Sequence, residues 1–377
     1  MDTRNFHGRE ISLLGFGLMR LPVKSGPTDI DRKAAQDMVD AAIAAGVNYF
    51  DTAYVYHGGE SEKFAGEALS RYDRSSFCLA SKMPIFLVKS ASDVETFFDE
   101  QLRRCQTDYF DYYLVHSVQQ SYLKTISDSR VYEQLLKKKE AGYIKHLGFS
   151  FHDTPELMQK IVDGYHFDFG QIQLNYFDWE LQRAREQYEI LRAKKIPVHI
   201  MEPLRGGALA RLCAEAVEIF KGADPGASPA SWAMRFAASL PEAQVVLSGM
   251  TNMEQLQDNI KTFSPLRPIS GDEREVIESA LGAFRKACHV PCTNCRYCMD
   301  CPSGVEIPKN IDIYNNYERA LAEKNPMAGP NFKMEYRLLE PEGQAGQCNS
   351  CGQCRERCPQ KIDIPVWMDK ILEWQRQ

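Results

Sequence analysis

Short apolar runs alternate with amphipathic stretches along the first two-thirds of the chain, and this alternation predicts the architecture. Eight runs have the length and the β-branched and aromatic content of buried strands: residues 12–17, 49–52, 77–81, 112–116, 144–150, 169–174, 197–201 and 244–249. The stretches between them repeat apolar residues at helical spacing: residues 31–45, 60–70, 92–104, 131–141, 155–162, 180–193, 229–240 and 252–262. Eight strand–helix pairs predict an α/β fold, a parallel (β/α)8 TIM barrel.

Two further observations support the predicted barrel: signals for the starts of helices, and the lack of a motif that an alternative fold would carry. The segments Ser90 to Asp93 and Asp153 to Pro155 place capping side chains or proline where a first helical turn leaves amides unpaired. The same elements could form an open doubly wound sheet. No G-x-G-x-x-G motif follows the first strand to serve that fold, so we expect the barrel.

The C-terminal third carries two cysteine runs. They are Cys292, Cys295, Cys298 and Cys301, then Cys348, Cys351, Cys354 and Cys358. The second run has the C-x2-C-x2-C-x3-C-P pattern of bacterial-type ferredoxins, in which the fourth cysteine ligates the other cluster. The first run shortens the last gap by one residue. Each run is followed by Pro, then by Val305 or Ile362, then by an Ile-Pro pair at matching offsets, so two half-sites are duplicated.

Cysteines can also bind zinc or form disulfides. Zinc sites usually pair two short Cys-x-x-Cys knuckles across a long gap, whereas here three or four cysteines in each run follow a three-residue step, with Pro after the last. We therefore predict two [4Fe-4S] clusters with crossed ligands. One would be held by Cys292, Cys295, Cys298 and Cys358, and the other by Cys348, Cys351, Cys354 and Cys301. Of the isolated cysteines, Cys78, Cys105 and Cys213 are expected to be buried small side chains, and Cys288 is a secondary ligand candidate.

Proline and glycine residues break the chain near Pro268, between the barrel and the first cysteine run. We place the domain boundary there. Residues 1–268 are predicted to form the barrel, and residues 269–377 a linker helix followed by a small α-rich, ferredoxin-like iron–sulfur domain.

The two cysteine runs are separated by an insertion that is longer than a minimal ferredoxin needs. Residues 309–323 are predicted to be helical and residues 325–331 to form a loop. The insertion could cover the clusters or reach over the barrel mouth as a lid.

Composition limits the partners. The net charge of −6 over 377 residues gives no electrostatic case for nucleic acid binding. No charged segment followed by an apolar run opens the chain, and no run of about eighteen apolar residues could span a membrane. We expect a cytoplasmic protein that does not associate with membranes, since oxygen-sensitive clusters and free thiols suit a reducing compartment.

The predicted barrel brings several reactive side chains to one edge. Active sites in these barrels lie at the carboxyl ends of the strands. The side chains that follow or end the predicted strands are Arg20, Asp51, Tyr56, Lys82, His116, Ser150 and Gln171. Singly, each is more often a packed or solvated residue, but their placement at successive strand ends indicates an active site.

Four segments of this ring resemble the aldo-keto reductases. They are Asp51-Thr-Ala-Tyr-Val-Tyr56, Ser81-Lys82-Met83, Tyr113-Leu-Val-His116 and Gly148-Phe-Ser150. The cysteine-rich tail and the segment Met201-Glu-Pro-Leu-Arg-Gly-Gly207 are similar to the iron–sulfur aldo/keto reductase branch of that superfamily.

The resemblance implies a catalytic tetrad of Asp51, Tyr56, Lys82 and His116. Tyr56 would be the general acid. A phenol is too weak an acid to protonate an alkoxide readily at neutral pH, but a nearby ammonium favours its ionised form. Lys82 would supply that charge, Asp51 would balance it, and His116 would orient the substrate carbonyl. The reaction would be the reversible interconversion of a small-molecule carbonyl and alcohol.

The resemblance also implies a nicotinamide cofactor whose carboxamide would hydrogen-bond to Ser150 and Gln171. Members that use NADPH carry Lys and Arg after the eighth strand, where this chain has Gly249 and Gln255, so NAD(P)(H) use without an NADPH preference is expected. Met201 stands where the family commonly has a stacking aromatic residue. The predicted cofactor-binding residues are Met19, Arg20, Asp51, Ser150, Gln171, Met201, Leu204, Arg205, Gly206, Gly249, Thr251, Gln255 and Asn259.

Electron counting makes a flavin, FMN, the second cofactor candidate. Iron–sulfur clusters pass electrons singly, while nicotinamides exchange a hydride, and a flavin converts between the two. The loop after the seventh strand could bind its phosphate through Arg205, or Gly206 and Gly207 could merely form a turn. An external electron carrier, a ferredoxin or flavodoxin, would then exchange electrons with the clusters.

Two functions from different classes follow. The first is an oxidoreductase whose clusters relay electrons to or from the barrel, and the second is a redox sensor or electron-transfer protein whose barrel binds a nicotinamide or flavin without turnover. Clusters with a purely structural role are a third possibility. The loops at residues 84–89, 117–124 and 176–180 carry the aromatic residues Phe86, Tyr122, Phe177 and Trp179, which are typical either of an apolar substrate pocket or of packing.

Overall fold

A computed structural model describes residues 1–287 and 290–376. The chain divides into two compact units: unit one comprises Met1–Pro203 and Ser231–Ile269, and unit two comprises Leu204–Ala230 and Ser270–Gln377. Residues 204–230, predicted as part of the barrel domain, thus group with the cysteine-rich segment. Cys288 lies outside the described residues.

Unit one is built on eight parallel strands that close into a barrel in sequence order. The barrel strands are β3 Leu14–Gly17, β4 Tyr49–Asp51, β5 Cys78–Met83, β6 Phe110–Val118, β7 Ile144–Phe151, β8 Phe169–Gln173, β9 Val198–Met201 and β10 Ala243–Gly249. The last strand pairs with the first, with Val246 opposite Leu14 and Gly249 opposite Gly17. All eight predicted runs form strands, which confirms the barrel and excludes the open sheet.

A hairpin that the sequence pattern did not predict precedes the barrel. Its strands, β1 Thr3–Phe6 and β2 Arg9–Ser12, pair antiparallel. The turn residues His7 and Gly8 have φ values of 48° and 87°, the pair of positive values that suits a two-residue hairpin. Phe6 is buried in the barrel core among aromatic rings, so the hairpin contributes to that core.

Helices connect the strands and make up unit two. Within the described residues they are α1 Arg32–Ala44, α2 Glu60–Leu69, α3 Ala91–Arg104, α4 Leu123–Asp128, α5 Val131–Glu140, α6 Pro155–Gly164, α7 Asp178–Leu181, α8 Ala184–Ala193, α9 Ala214–Ala223, α10 Pro229–Ala238, α11 Met253–Thr262, α12 Gly271–Ala287, α13 Ile307–Ala322, α14 Ala328–Arg337, α15 Gln353–Arg357 and α16 Ile364–Arg376. Ser90 and Asp93 form a capping box at α3, and Thr154 caps α6. The helix predicted at 180–193 is instead the pair α7 and α8, because Arg183 between them has a φ of 52°.

Unit two has an apolar core of its own, formed by α13, α14 and α16 and the segments that follow the cysteine runs. The predicted loop at residues 325–331 is wrong, because α14 begins at Ala328. Pro330 lies in the first turn of that helix, where a missing amide costs nothing. Phe332 packs against Tyr317 with ring centroids 4.9 Å apart, so burial of an apolar face stabilises the helix and anchors the insertion in the unit-two core.

Candidate active site and candidate metal centres

A buried ion pair lies at the carboxyl ends of β4 and β5. The Nζ of Lys82 donates to Oδ1 of Asp51 at 2.6 Å and to the carbonyl oxygen of Thr52 at 2.7 Å. It also donates to the hydroxyl oxygen of Tyr56 at 3.4 Å, from the turn that follows β4. Lys82 is 0% exposed, whereas Tyr56 is half-buried. The structure therefore brings three members of the predicted tetrad together.

The two charges of this pair stabilise each other against burial. Burial raises the pKa of Asp51 and lowers that of Lys82, and each group's charge opposes the shift of the other. The second carboxylate oxygen of Asp51 has no hydrogen-bond partner among the described residues. The ion pair thus places an ammonium next to a hydroxyl in a site of low polarity, where its field on that hydroxyl is strong.

His116, on β6, completes the tetrad. Its ring centroid lies 6.2 Å from that of Tyr56, with the two planes nearly perpendicular. Burial, reinforced by the charge of Lys82, holds the pKa of His116 well below its usual value. The imidazole is therefore neutral at physiological pH and presents one N–H donor.

Of the four predicted aromatic pocket residues, Phe86 lies beside this histidine and Tyr122 lies near Phe86. The ring of Phe86 is 5.6 Å from that of His116 and 6.4 Å from that of Tyr122. Trp179, in contrast, packs on Tyr188 and on α10, and Phe177 is buried in unit one. The apolar wall next to the tetrad is thus formed by the loops after β5 and β6.

The predicted carboxamide site lies on the next three strands. Ser150 on β7 accepts a hydrogen bond from the backbone N–H of Ser117 at 2.7 Å. Gln171 on β8 is buried, and its amide N–H₂ donates weakly to the sulfur of Met201 at 3.5 Å. Its Oε1 has no hydrogen-bond partner among the described residues. An unsatisfied buried acceptor fits a ligand that brings an N–H donor, as a nicotinamide carboxamide does.

Arg20 and Gly249 lie against each other after β3 and at the end of β10. A Cβ on residue 249 would stand 2.9 Å from the Cγ and Cδ of Arg20, so glycine leaves room for the arginine stem. The guanidinium of Arg20 pairs with Glu202 at 3.2 Å. Met19 is half-buried in the same short turn as Arg20.

The remaining residues predicted after β10 lie around the start of α11. The side chain of Gln255 accepts from the backbone N–H of Thr251 at 2.8 Å, and Asn259 donates to the hydroxyl of Ser248 at 2.8 Å. Gln255 is exposed, whereas Asn259 is buried. Asn252 caps the helix, so the segment forms an ordered turn at a helix N-terminus.

The predicted phosphate loop belongs to unit two. Leu204 is half-buried, and Arg205 is buried and donates to Oε1 of Gln360 at 3.2 Å. A Cβ on Gly206 would stand 1.9 Å from the carbonyl oxygen of Thr293. Both contacts join this loop to the residues around the cysteine runs.

A buried polar network behind Lys82 was not predicted. Glu62 on α2 accepts hydrogen bonds from Ser81 and Gln101 and pairs with Arg104 at 3.3 Å. Gln101 also donates to the backbone carbonyl of Lys82 at 3.1 Å. Burial raises the pKa of Glu62. The network fixes the β5 backbone that carries the lysine. The sequence did not indicate this role, because Glu62 lies within an amphipathic helix where a glutamate is ordinarily part of the solvated face.

The eight cysteines of the two runs line two neighbouring cavities in unit two. Cys292, Cys295, Cys298 and Cys358 line one cavity, together with Thr293, Arg296 and Gln360. The other is lined by Cys301, Cys348, Cys351 and Cys354, with Cys298 at its border. In each cavity three cysteines of one run meet the fourth cysteine of the other run. The donor set fits two four-thiolate sites.

Side chains of the duplicated Ile-Pro pairs separate the two cavities. Ile307 and Ile364, the first residues of α13 and α16, line both. Burial raises the pKa of Cys292 and of Cys354 to about 11. Within residues 1–287 and 290–376, no three His, Cys, Asp or Glu groups are close enough to hold a single metal ion. The thiols of each set instead lie around a cavity. Cys78, Cys105 and Cys213 are buried, as predicted.

A tyrosine hydroxyl next to a buried ammonium, with a neutral imidazole opposite, can exchange a proton with a carbonyl or alcohol oxygen. At the end of a (β/α)8 barrel, this arrangement fits an oxidoreductase. The chain belongs to the aldo/keto reductase family, whose model matches residues 13–281. A 4Fe-4S dicluster domain model matches residues 291–362, so unit two carries an iron–sulfur domain. Family membership implies the use of NAD(P)H.

Similarity to characterised proteins covers the barrel. L-galactose dehydrogenase of Arabidopsis thaliana is 24% identical over 72% of this chain and 90% of its own. NADH-specific methylglyoxal reductase of Escherichia coli is 26% identical over 53% of this chain and 66% of its own. The holo form of an aldo-keto reductase from Bacillus halodurans has the same fold, with a TM-score of 0.62 and 22% identity over 74% of this chain and 96% of that one.

None of the helices in the described ranges combines the length and the apolar content needed to cross a lipid bilayer.

Proposed function

We propose that this protein interconverts a small-molecule carbonyl and alcohol in the barrel and exchanges electrons with an external carrier through two [4Fe-4S] clusters. The observation that supports the barrel chemistry best is the 2.6 Å ion pair between Lys82 and Asp51 beneath the hydroxyl of Tyr56. A buried ammonium has no structural advantage over an apolar side chain there, since its desolvation is costly. It does stabilise a tyrosinate.

The roles of the tetrad follow from its geometry. In the reducing direction Tyr56 donates its proton to the carbonyl oxygen, and the Lys82 ammonium stabilises the phenolate that remains. His116, being neutral, donates an N–H to the same oxygen and fixes the orientation of the carbonyl. Asp51 keeps Lys82 charged. Ser150 and Gln171 would hold the carboxamide of a nicotinamide, which would provide hydride chemistry when bound. In the oxidising direction the proton transfer at Tyr56 is reversed.

We further propose NADH rather than NADPH as the nicotinamide. The positions after β10 that would clamp a 2′-phosphate hold Gly249 and Gln255, and the guanidinium of Arg20 is already paired with Glu202. The name of the similar Escherichia coli enzyme, an NADH-specific reductase, supports the same choice. Comparing kcat/KM for the two nucleotides with one aldehyde checks this, and a tenfold advantage for NADPH would contradict it.

The clusters make a flavin the second cofactor candidate. Oxidation of an alcohol releases two electrons, whereas each cluster accepts one, so a two-electron to one-electron converter is required within the chain or in the carrier. FMN would provide it, with a ferredoxin or flavodoxin as the carrier. Anaerobic purification followed by iron, sulfide and released-cofactor analysis tests this. If no flavin absorbance is seen, even after reconstitution with FMN, the nicotinamide would be the one organic cofactor candidate that remains.

Substitution of Tyr56 by Phe tests the barrel chemistry. Loss of the general acid is expected to lower kcat for aldehyde reduction at least about 100-fold, with the iron content unchanged. Tyr54→Phe is the matched control, since Tyr54 lies in the same turn but donates to Glu100. If Tyr56→Phe reduces aldehydes as fast as the unaltered protein, the tetrad is not the catalytic device, and the redox-sensor hypothesis takes its place.

A further inference from the structure

Arg205 carries a buried charge at the edge of the first cysteine cavity, defined as the one lined by Cys292, Cys295, Cys298 and Cys358. The residue is only 1% exposed. Its guanidinium donates to Oε1 of Gln360 at 3.2 Å, and Gln360 lines that cavity.

The backbone around Arg205 is held in an unusual shape. Arg205, Gly206 and Gly207 have φ values of 50°, 65° and 91°, three left-handed residues in a row. Gly206 touches the carbonyl of Thr293, the residue after Cys292, so closely that any side chain at 206 would overlap it. A non-glycine residue in this region costs free energy, so packing against the cysteine run must hold Arg205 there.

The other cavity, lined by Cys301, Cys348, Cys351 and Cys354, has a different charge environment. Its arginine is Arg357, whose side chain is exposed and therefore screened by water. The first cavity also has Arg296 at its wall, but that side chain is 38% exposed and pairs with Glu306. Of these three arginines, Arg205 is therefore the one whose charge is removed from water.

We propose that Arg205 is a tuning residue that raises the reduction potential of the cluster in the first cavity above that of its neighbour. A four-thiolate cluster is an anion and gains one negative charge when it takes up one electron. A buried permanent cation stabilises that reduced form more than the oxidised form. Electrons that enter unit two would therefore collect on the first cluster. This inference rests on the proposed occupancy of both cavities.

The test is a mediated redox titration of the full-length, anaerobically purified protein, followed by EPR. Arg205→Met keeps the length of the side chain and removes its charge. One of the two clusters is expected to bind its electron at least tenfold less tightly, a fall of about 59 mV for a one-electron couple. Arg205→Lys should retain most of the potential. Arg337→Met, at an exposed position on α14 of unit two, should change nothing.

Two further variants keep the result decisive. Gln360→Glu places a carboxylate against the guanidinium and should lower the same potential even if Arg205→Met loses iron. Cys295→Ser identifies which EPR signal belongs to the first cavity. Full iron content with unchanged potentials in Arg205→Met and Gln360→Glu overturns the inference, as does an equal shift of both clusters. Absence of iron from the unaltered protein would instead overturn the two-cluster proposal itself.

Discussion

Burial of Lys82 strengthens the electrostatic effect of its ammonium on the groups around it. Three oxygens surround its ammonium, from Asp51, Thr52 and Tyr56. Two of them come from the β4 strand end and the chain that follows it, and the third is the tyrosine hydroxyl, whose ionised form a nearby ammonium favours. Glu62 adds a second negative charge whose effect is to keep Lys82 protonated.

Buried histidines at the core of the barrel make its stability depend on pH. Burial lowers the pKa of His199, which is 0% exposed, to about 3 from an ordinary 6.5. Below pH 6.5 the unfolded chain therefore binds a proton that the folded protein does not, and stability is lost as the pH falls from 6.5 toward the folded value. For His199 the loss between pH 7 and pH 5 is about 2 kcal/mol.

This predicts a difference between two variants. In His199→Gln the fall in melting temperature of the barrel between pH 7 and pH 5, followed anaerobically by near-UV circular dichroism, should be smaller than in the unaltered protein. His166→Gln, at an exposed position, should leave the fall unchanged. An identical pH dependence in all three proteins would show that folding does not lower the pKa of His199.

The ring of candidate residues could be predicted at this scale because reactive residue types recur at strand ends, where barrel geometry converges, and the resemblance to the aldo-keto reductases then singled out the tetrad within it. Glu62 and Gln101 could not, because a polar residue on an amphipathic helix looks like part of a solvated face. Only the packing of α2 and α3 against β5 turns that face inward. Arg205 was predicted to bind a phosphate, and nothing in the sequence indicated its contact with Gln360, which lies far along the chain.

Packing between α2 and α3 depends on one glycine. A Cβ on Gly66 of α2 would stand 2.7 Å from the backbone carbonyl oxygen of Arg104 at the end of α3. Backbone atoms cannot move aside as a flexible side chain can, so the helices would have to separate. That movement would also disturb the Glu62–Arg104 pair.

Gly66→Ala is therefore expected to destabilise unit one by about 1–3 kcal/mol and to slow aldehyde reduction. Gly164→Ala is the matched control, because Gly164 ends α6 and a Cβ placed there would have no other atom within 4 Å. Loss of chain entropy in the unfolded state should stabilise that variant by up to about 1 kcal/mol. Thermal melting under anaerobic conditions gives both values. Equal melting temperatures for the two variants would contradict the steric argument.

Most elements followed from local periodicity, and the exceptions have local causes. The hairpin β1–β2 has only four residues per strand, too few for alternation to be distinctive, although the His7-Gly8 pair suits its turn. The start of α14 was missed because Gly329 and Pro330 are usually loop residues. Within the first turn of a helix, however, proline is tolerated, and the apolar residues Phe332 and Tyr336 that follow supply the buried face.

The two units of the whole molecule are not contiguous in sequence. Residues 204–230 leave the barrel after β9 and join unit two, where α9 packs against α12. Hydrophobic periodicity predicts helices and strands but not which distant elements pack together. A single boundary near Pro268 therefore could not assign residues 204–230 to the second unit. The cysteine runs could be predicted from local sequence because ferredoxin-type cluster ligands recur at this characteristic spacing.

Crossed ligation makes a prediction for paired cysteine variants. Cys358→Ser and Cys292→Ser should each lose about half the iron, and the double variant should lose no more than either single, because both residues would serve one cluster. Cys292→Ser with Cys301→Ser should lose nearly all of it. Cys213→Ser, at a buried cysteine in unit two, is the control. Iron and sulfide analysis decides, and additive loss in the Cys292–Cys358 pair would mean that the ligands are not crossed.

The meeting of each cysteine run with the last cysteine of the other also sets an order of events in biosynthesis. When Cys298 is added to the growing chain, Cys358, the fourth cysteine of the same cavity, is still sixty residues away from being made. The second cavity likewise waits for Cys348 to Cys354. Neither metal site can be complete before the barrel has emerged in full, so cluster insertion is a late step, performed on a chain whose barrel is free to fold first.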